Sequence, residues 1–208
     1  MPMPVRKPTA RRASAKSFHK TKTVKVPLEV LSSQIVFRGR VFNVTRDRVR
    51  EPNGVTAIRE VIRHSGSVVI LAVDVSTPEP RILLERQYRY AANDFLLELP
   101  AGRIDPGESA LTAGKRELLE ETGYTARHWK KVLFFYPSPG FLEETMTVFF
   151  ANGLQAGKAQ PEADEKIDHE LVPLSAVLKM ISSGSIKDGK TIASVLWLSQ
   201  NSKAMRKP

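Results

Sequence analysis

Three glutamates on one predicted helix limit how this chain can fold. Residues 109–122 are good helix formers, and Gly123 follows them as a C-terminal stop. At about 100° per residue, Glu117, Glu120 and Glu121 share an arc of roughly 100°, so their carboxylates converge on one side. Like charges at this spacing cost a bare helix about 0.2–0.5 kcal/mol per pair. The arrangement therefore calls for a compensating cation.

The same helical spacing predicts which side of the helix packs against the protein. Leu111, Gly114 and Leu118 form a stripe beside the carboxylates, and we expect this stripe to be buried. Ala110 and Ala113 fall on the carboxylate arc itself. Small residues at these two positions should leave room for a ligand.

The helix by itself allows two interpretations. The carboxylates could be a solvated acidic face on which Arg116 pairs locally with Glu120, four residues on. Alternatively they hold a hard divalent cation, Mg²⁺ or Mn²⁺, for which carboxylate oxygens are suitable ligands. The turn formed by Gly102 and Pro106-Gly107, which leads into the helix N-terminus, favours a ligand site.

Composition narrows the class of protein. A chain of 208 residues with 41% hydrophobic residues can bury one sizeable core, so one catalytic domain is expected. The absence of cysteine excludes disulfides and thiolate metal sites and fits a reducing compartment. The sequence has no apolar run of about 18 residues and no secretory signal pattern. We expect a soluble, cytoplasmic protein that does not interact with membranes.

The net charge of +10 is concentrated at the N-terminus. Outside residues 1–25, 24 Lys and Arg face 22 Asp and Glu, which leaves only +2. With four prolines and little apolar content, residues 1–27 are predicted to be a disordered basic tail. A solvated extension is favoured over nucleic-acid binding, which could at most be weak. The basic residues of the tail are Arg6, Lys7, Arg11, Arg12, Lys16, Lys20, Lys22 and Lys25.

Strand-like segments surround the helix. Residues 28–63 alternate in polarity around a turn at Pro52-Asn53-Gly54, which predicts a small N-terminal β lobe. The apolar run 68–73 is typical of a strand buried on both faces. Residues 64–202 should therefore form an α/β (α+β) domain with a mixed sheet. Other predicted elements are strands at 82–88, 95–99, 132–136 and 145–151, a loop at 153–163, and helices from Leu174 and after Asp188-Gly189.

The segment from Gly102 to Tyr124 resembles the Nudix box, Gly-x5-Glu-x7-Arg-Glu-U-x-Glu-Glu-x-Gly-U, where U is usually aliphatic. It matches at every fixed position, and only Tyr124 departs, where an aromatic side chain can fill the same packing role. The resemblance implies an α/β/α sandwich and a hydrolase that cleaves a nucleoside diphosphate linked to another group.

The resemblance also implies residue roles. Glu117 and Glu121 would be metal ligands, and Glu120 a further ligand or a catalytic residue. Metal ions on a diphosphate neutralise the charge that develops on the leaving phosphate and can generate a nucleophile near neutral pH. Residues implied to shape or brace the motif are Gly102, Glu108, Arg116 and Gly123.

Residues 138–144 resemble the Ser-Pro-Gly-Phe-x-x-Glu loop of the ADP-ribose pyrophosphatase branch of this family. By position Glu144 matches the general base of that branch. Glu143 is the neighbour that could be confused with it, and Glu120 is the alternative base on the helix. A solvated acidic loop also remains open.

Further upstream, Gln87 and Arg89 resemble a Gln-x-Arg strand segment of this branch. On an alternating strand they share one face, where an arginine fork suits a diphosphate, whereas Arg86 points the other way. Other positions that the resemblance places near substrate or metal are Glu98, the Ala101 carbonyl as a metal ligand, and Arg59 and Glu60 on the hairpin. The segment 188–192 also resembles this branch.

The expected activity is Mg²⁺-dependent hydrolysis of ADP-ribose, or a related ADP-sugar, to AMP and ribose 5-phosphate. The resemblance implies a homodimer in which the N-terminal strands exchange between subunits. Another Nudix activity, such as hydrolysis of GDP-mannose, a nucleoside triphosphate or capped RNA, is the alternative. A non-catalytic protein that binds nucleotides or nucleic acid is a third possibility, which the three clustered carboxylates disfavour.

Overall fold

The computed structural model describes residues 28–159 and 167–201. The predicted basic tail, residues 1–27, lies outside these ranges, as do residues 160–163 of the predicted loop and residue 202. Within the described residues, no helix combines the length and the apolar character needed to cross a bilayer.

An N-terminal antiparallel sheet of three strands is formed by β1 (Glu29–Arg38), β2 (Asn43–Arg50) and β3 (Thr56–Arg63). The turn between β2 and β3 includes Gly54, whose φ of +84° lies in the region that glycine adopts readily. The hairpin predicted around Pro52-Asn53-Gly54 is confirmed.

The main sheet is mixed, as predicted. Its path runs β10-β5-β4-β9-β8, with β6 paired to β5 and β7 to β4. Within the described residues, β4 and β9 are the only neighbouring strands of this sheet that run parallel, and the other pairs are antiparallel. The strands are β4 (Ser67–Asp74), β5 (Arg81–Arg89), β6 (Asp94–Glu98), β7 (Ala101–Arg103), β8 (Thr125–Phe135), β9 (Met146–Gln155) and β10 (Asp168–Pro173).

Helices cover both faces of this sheet. They are α1 (Ala110–Thr122), α2 (Leu174–Ser182) and α3 (Gly189–Gln200). Alternate residues of β4 enter two different cores, because successive side chains of a strand point to opposite faces. Val69 and Leu71 pack in the cluster that contains Val195 of α3. Val68 and Ile70 pack in the cluster of α1. The result is the predicted α/β/α sandwich, with β4 buried on both faces.

Several strand boundaries differ from the sequence predictions. Strand β8 begins at Thr125 rather than 132, and β9 continues to Gln155, so the predicted loop starts later. Strands β7 and β10 had no apolar pattern to reveal them. Strand β8 lies at the end of the sheet and leaves most of its side chains accessible, so its sequence lacks a continuous apolar signal.

The predicted buried stripe of α1 is wrong in part. Leu118 is fully buried and Gly114 lies against Val68 and Trp129, but Leu111 is 36% exposed. Ala113 is fully buried in the core with Leu118 and therefore leaves no room for a ligand. Helical spacing fixes the angles between side chains, but the rotation of the helix on the sheet depends on tertiary packing. That rotation turns one edge of the carboxylate arc toward the sheet.

Candidate active site

Helix α1 begins and ends through local interactions that fix where its carboxylates lie. The Oγ of the N-cap Ser109 accepts a hydrogen bond from the Thr112 N–H at 3.1 Å. At the other end Gly123 adopts φ +73°, and a Cβ there would come within 2.5 Å of the Ala159 nitrogen. A side chain at Gly123 is therefore excluded both by conformation and by space.

Arg116 holds the preceding loop against the helix. Its Nε and one Nη donate to the Glu108 carboxylate at 3.2 and 3.1 Å, and the same Nη donates to the Arg103 carbonyl at 3.2 Å. Its other Nη donates to Glu117 at 2.8 Å and to Glu120 at 3.0 Å. Hydrogen bonds from Arg116 lower the pKa of Glu108, and the bond to Glu108 raises the pKa of Arg116. One guanidinium thus offsets three carboxylates.

The strand that passes under this helix approaches it very closely. A Cβ placed on Gly102 would lie 2.0 Å from the Glu117 carboxylate, so only glycine fits there with Glu117 in its present position. The Ala101 N–H donates to the Glu121 carboxylate at 3.2 Å. Glu121 itself is buried against the sheet. Two of the three helix carboxylates are therefore packed against β7.

An open cavity of about 500 Å³ brings most of the predicted residues together. Glu117, Glu120 and Glu121 form its acidic side. The backbone of β7 and the side chain of Arg89 also line it. Two residues that the sequence did not indicate, Arg40 and Arg103, complete the wall; Arg40 comes from the turn between β1 and β2. Carboxylates and guanidinium groups thus face the same space.

Arg89 is oriented by a buried carboxylate. Its Nε and one Nη donate to Glu98 at 2.9 and 2.8 Å, and Glu98 also accepts from Lys190. Burial alone would raise the pKa of Glu98, but Arg89 and Lys190 lower it below its usual value. Glu98 is 1% exposed and does not line the cavity. It therefore acts on Arg89 rather than facing a ligand.

Gln87 and Glu85 share the face of β5 that carries Arg89, but both are buried and neither lines the cavity. Burial raises the pKa of Glu85 to about 8, and the charge of Glu98 adds to the shift. Glu85 was missed by the sequence analysis, although a glutamate directly after the apolar residues Ile82, Leu83 and Leu84 was an available signal.

Glu143 and Glu144 occupy different places. Glu144 accepts a hydrogen bond from the Ser67 hydroxyl and lines a smaller cavity of about 230 Å³ with Arg89 and Lys190. Glu143 instead accepts from Arg63 at 3.1 Å, on the side of the N-terminal sheet. His64 Nδ1 lies 3.8 Å from Glu144 but already accepts the Gly66 N–H at 3.1 Å. Because Nδ1 accepts this bond through its lone pair, it carries no proton to donate to the carboxylate.

Arg59 and Glu60 are not brought to either cavity within the chain. Both lie on β3, where Arg59 pairs with Glu51, and Glu60 accepts from Arg46 at 2.8 Å. Arg59, Glu60 and Arg46 are more than half exposed, so these pairs contribute little to stability.

In the described part of the chain, no three acidic or histidine side chains are already gathered as a cation site. The chemistry of the donors nevertheless suits a hard cation. Carboxylate oxygens of Glu117, Glu120 and Glu121 line one cavity together with Ala101. Arg116 occupies two of these carboxylates, so a cation would compete with a guanidinium rather than fill a preformed cage.

Known proteins resemble the chain over most of its length. It is 35% identical to an ADP-ribose pyrophosphatase of Bacillus subtilis over 172 residues, which covers 82% of this chain and 91% of that protein. It is 34% identical to a methanol dehydrogenase activator of Bacillus methanolicus, again over 82% of this chain and 91% of that protein. A GDP-mannose pyrophosphatase of Salmonella paratyphi B is 32% identical over 72% of this chain and 82% of its own length.

A solved structure shares the fold of this chain. The crystal structure of an ADP compounds hydrolase superimposes on it with a TM-score of 0.74 at 22% identity, and the match covers 93% of this chain and 100% of that hydrolase. The profile of the nucleoside diphosphate sugar hydrolase N-terminal domain matches residues 29–62. The profile of the NUDIX domain matches residues 64–194, which include Arg89, all of α1 and Glu144. The chain therefore belongs to the Nudix family of hydrolases.

Proposed function

We propose that this Nudix enzyme hydrolyses ADP-ribose with Mg²⁺ to AMP and ribose 5-phosphate. The observation that carries the proposal is the cavity that the acidic face of α1 and Arg89 line together. A diphosphate needs both a cation and a positively charged partner for its oxygens. The likeness to an ADP-ribose pyrophosphatase over most of both chains supports this choice of substrate.

Nudix hydrolases generally use a divalent cation, and the proposed ligands here are Glu117, Glu121, Glu120 and the Ala101 carbonyl. When bound, such a cation neutralises charge on the diphosphate and makes a water molecule more acidic. Mg²⁺ is favoured because all of these donors are oxygens, and Mn²⁺ is the alternative. Arg116 would keep the loop in place by its bonds to Glu108 and the Arg103 carbonyl.

Arg89 is the proposed ligand of the diphosphate. Its bidentate contact with Glu98 uses Nε and one Nη, which leaves the other Nη for a substrate oxygen. Gln87 has a different proposed role, since it is buried and supports the strand that carries Arg89. Arg40 and Arg103, at the mouth of the same cavity, can contact the more distant parts of the substrate.

Glu144 is the proposed general base. It lines the smaller cavity, of about 230 Å³, with Arg89 and residues of β7, and the Ser67 hydroxyl donates to its carboxylate. Glu143 is engaged with Arg63 on another side of the loop. The helix carboxylates are left to the cation, so Glu144 is the group that can take a proton from the attacking water. Glu120 of α1 is the alternative candidate for the general base.

The N-terminal sheet, residues 28–63, is proposed as a dimerisation lobe beside a catalytic domain of residues 64–202. Five large apolar side chains on or beside this small sheet are each more than half exposed. A second copy of the chain would cover them. In such a dimer Arg59 and Glu60, which reach neither cavity in their own chain, could contact substrate in the partner. The five residues are Val30, Phe37, Val41, Val55 and Ile58.

GDP-mannose is the second candidate substrate, because relatives that are 32% identical are GDP-mannose pyrophosphatases. We expect ADP-ribose to be the best substrate in a panel with GDP-mannose, a nucleoside triphosphate and capped RNA. Chromatography should identify AMP and ribose 5-phosphate in the presence of Mg²⁺ or Mn²⁺, with no turnover in excess chelator. A kcat/KM for GDP-mannose about tenfold above that for ADP-ribose would reverse the assignment.

Replacement of the proposed base should slow the chemical step. We expect Glu144→Gln to lower kcat by about 10² to 10⁴ with little change in KM, because the substrate and cation contacts remain. Glu143→Gln is the matched control and should lose far less. If Glu143→Gln carries the large loss, the base is one residue earlier; if neither variant is impaired, Glu120 is the base to test.

The dimer predicts a mass in solution of twice 23.2 kDa by light scattering. A charge in the exposed apolar surface should oppose the burial of that surface, so Val30→Asp should shift the protein toward the monomer. Val75→Asp, at an exposed apolar residue outside the N-terminal sheet, should leave the mass unchanged. A wild-type monomer at micromolar concentration would exclude the proposed role of this sheet.

A further inference from the structure

Lys190 is a buried cation beside the proposed active site whose presence the activity does not yet explain. It is the second residue of α3, and its side chain is 9% exposed. Its Nζ donates to Glu98 and lies 3.2 Å from Asp188 Oδ2. It also lines the cavity that contains Arg89 and Glu144. Lysine is rarely buried and is disfavoured in the first turn of a helix, where the dipole is positive.

The side chains of Asp188 and Thr191, on either side of Lys190, attach the start of α3 to the main sheet. The Asp188 carboxylate accepts from the Thr191 N–H at 2.9 Å and from the Thr191 hydroxyl at 2.6 Å. The Thr191 hydroxyl oxygen accepts from the Leu99 N–H at 2.8 Å. Leu99 directly follows Glu98, so the start of α3 is attached to the end of β6. These bonds hold the backbone at Lys190 next to that of Glu98.

The charges around Glu98 show what Lys190 adds. Glu98 alone would neutralise Arg89, because the guanidinium forms a bidentate pair with it. Lys190 donates to the same carboxylate and also lies 3.2 Å from Asp188, so the two cations and two carboxylates are balanced in charge. Glu98 and Lys190 are 1% and 9% exposed, so screening of their interaction by water and salt is weak.

We infer that Lys190 is a positioning residue for substrate. It holds the Glu98 carboxylate so that Arg89 presents its remaining Nη to the diphosphate. The inference rests on the proposed function of Arg89. Because the contact with the diphosphate exists before the reaction as well as during it, loss of Lys190 should act mainly on KM.

The absence of cysteine from the chain permits a chemical test. Lys190→Cys introduces the single thiol of the protein, which can be alkylated in denaturant before refolding. Bromoethylamine gives an aminoethyl side chain with the length and charge of lysine, whereas iodoacetamide gives a neutral side chain of similar size. We expect the neutral form and Lys190→Met to raise KM for ADP-ribose by about tenfold or more, with kcat within about fivefold. The aminoethyl form should restore KM to within about threefold of wild type.

Lys187→Met is the matched control. Lys187 lies three residues earlier and forms an exposed pair with Asp94 at 3.0 Å, so its loss removes the same charge without touching Glu98. It should change neither constant by more than about twofold. Lys190→Arg, which keeps the charge, gives a second comparison if the alkylated protein refolds poorly, and its KM should be closer to wild type than that of Lys190→Met.

Two results would overturn the inference. One is an unchanged KM in Lys190→Met. The other is equal recovery by the neutral and the aminoethyl forms, which would show that Lys190 only fills space. A failure of the proposed substrate is seen separately in the wild type, which would then prefer another nucleoside diphosphate compound. The same comparison made with that compound still decides the role of Lys190, since the diphosphate is common to both.

Discussion

The bond network of Arg116 is the interaction on which the site depends. Glu108, Glu117 and Glu120 all accept from this one guanidinium, which also reaches the Arg103 carbonyl. Without it, the acidic helix face would repel itself and the loop before α1 would lose its anchor. The same network leaves the carboxylates only partly neutralised. A divalent cation can therefore still bind to them favourably.

Carboxylates and cations reach the site from different elements of the fold. Helix α1, on one face of the sheet, supplies the carboxylates, whereas β5 and α3 supply Arg89 and Lys190. Gly102 of β7 lies so close to Glu117 that a Cβ there would be 2.0 Å from its carboxylate. The proposed substrate, a diphosphate with its cation, suits this arrangement because it would present both a metal and free anionic oxygens. The arrangement accounts for a mixed, highly charged cavity in a chain whose core is otherwise apolar.

The sequence predicted those parts of the fold that local interactions determine. The run of helix formers at 109–122 and the stop at Gly123 located α1, and the run 68–73 located the central strand. The rotation of α1 on the sheet could not be read from spacing, so Leu111 and Ala113 were assigned to the wrong environments. Strands β7 and β10 were missed because they are short or accessible and owe their conformation to their neighbours.

The candidate site shows the same limit. Motif positions pointed to the carboxylates and Arg89, which the fold gathers in one cavity. Arg40, from the β1–β2 turn, lines the same cavity, and Lys190 of α3 lines the smaller cavity with Arg89; they lie 49 and 101 residues from Arg89 in sequence. No local pattern marks such residues, because their role depends on contacts between distant segments. Glu98 was expected near substrate, and its burial between two cations instead makes it a support for Arg89.

The close approach of Gly102 to Glu117 offers the most direct test that the α1 carboxylates form the catalytic cation site. In Gly102→Ala the new Cβ would displace the flexible Glu117 carboxylate, while the backbone has no reason to unfold. We expect Mn²⁺ affinity and kcat/KM for ADP-ribose to fall by about 100-fold or more, at an almost unchanged melting temperature. Gly189→Ala, where a Cβ meets no atom within 4 Å, should match wild type. A folded Gly102→Ala protein with normal cation affinity and normal turnover would contradict the account.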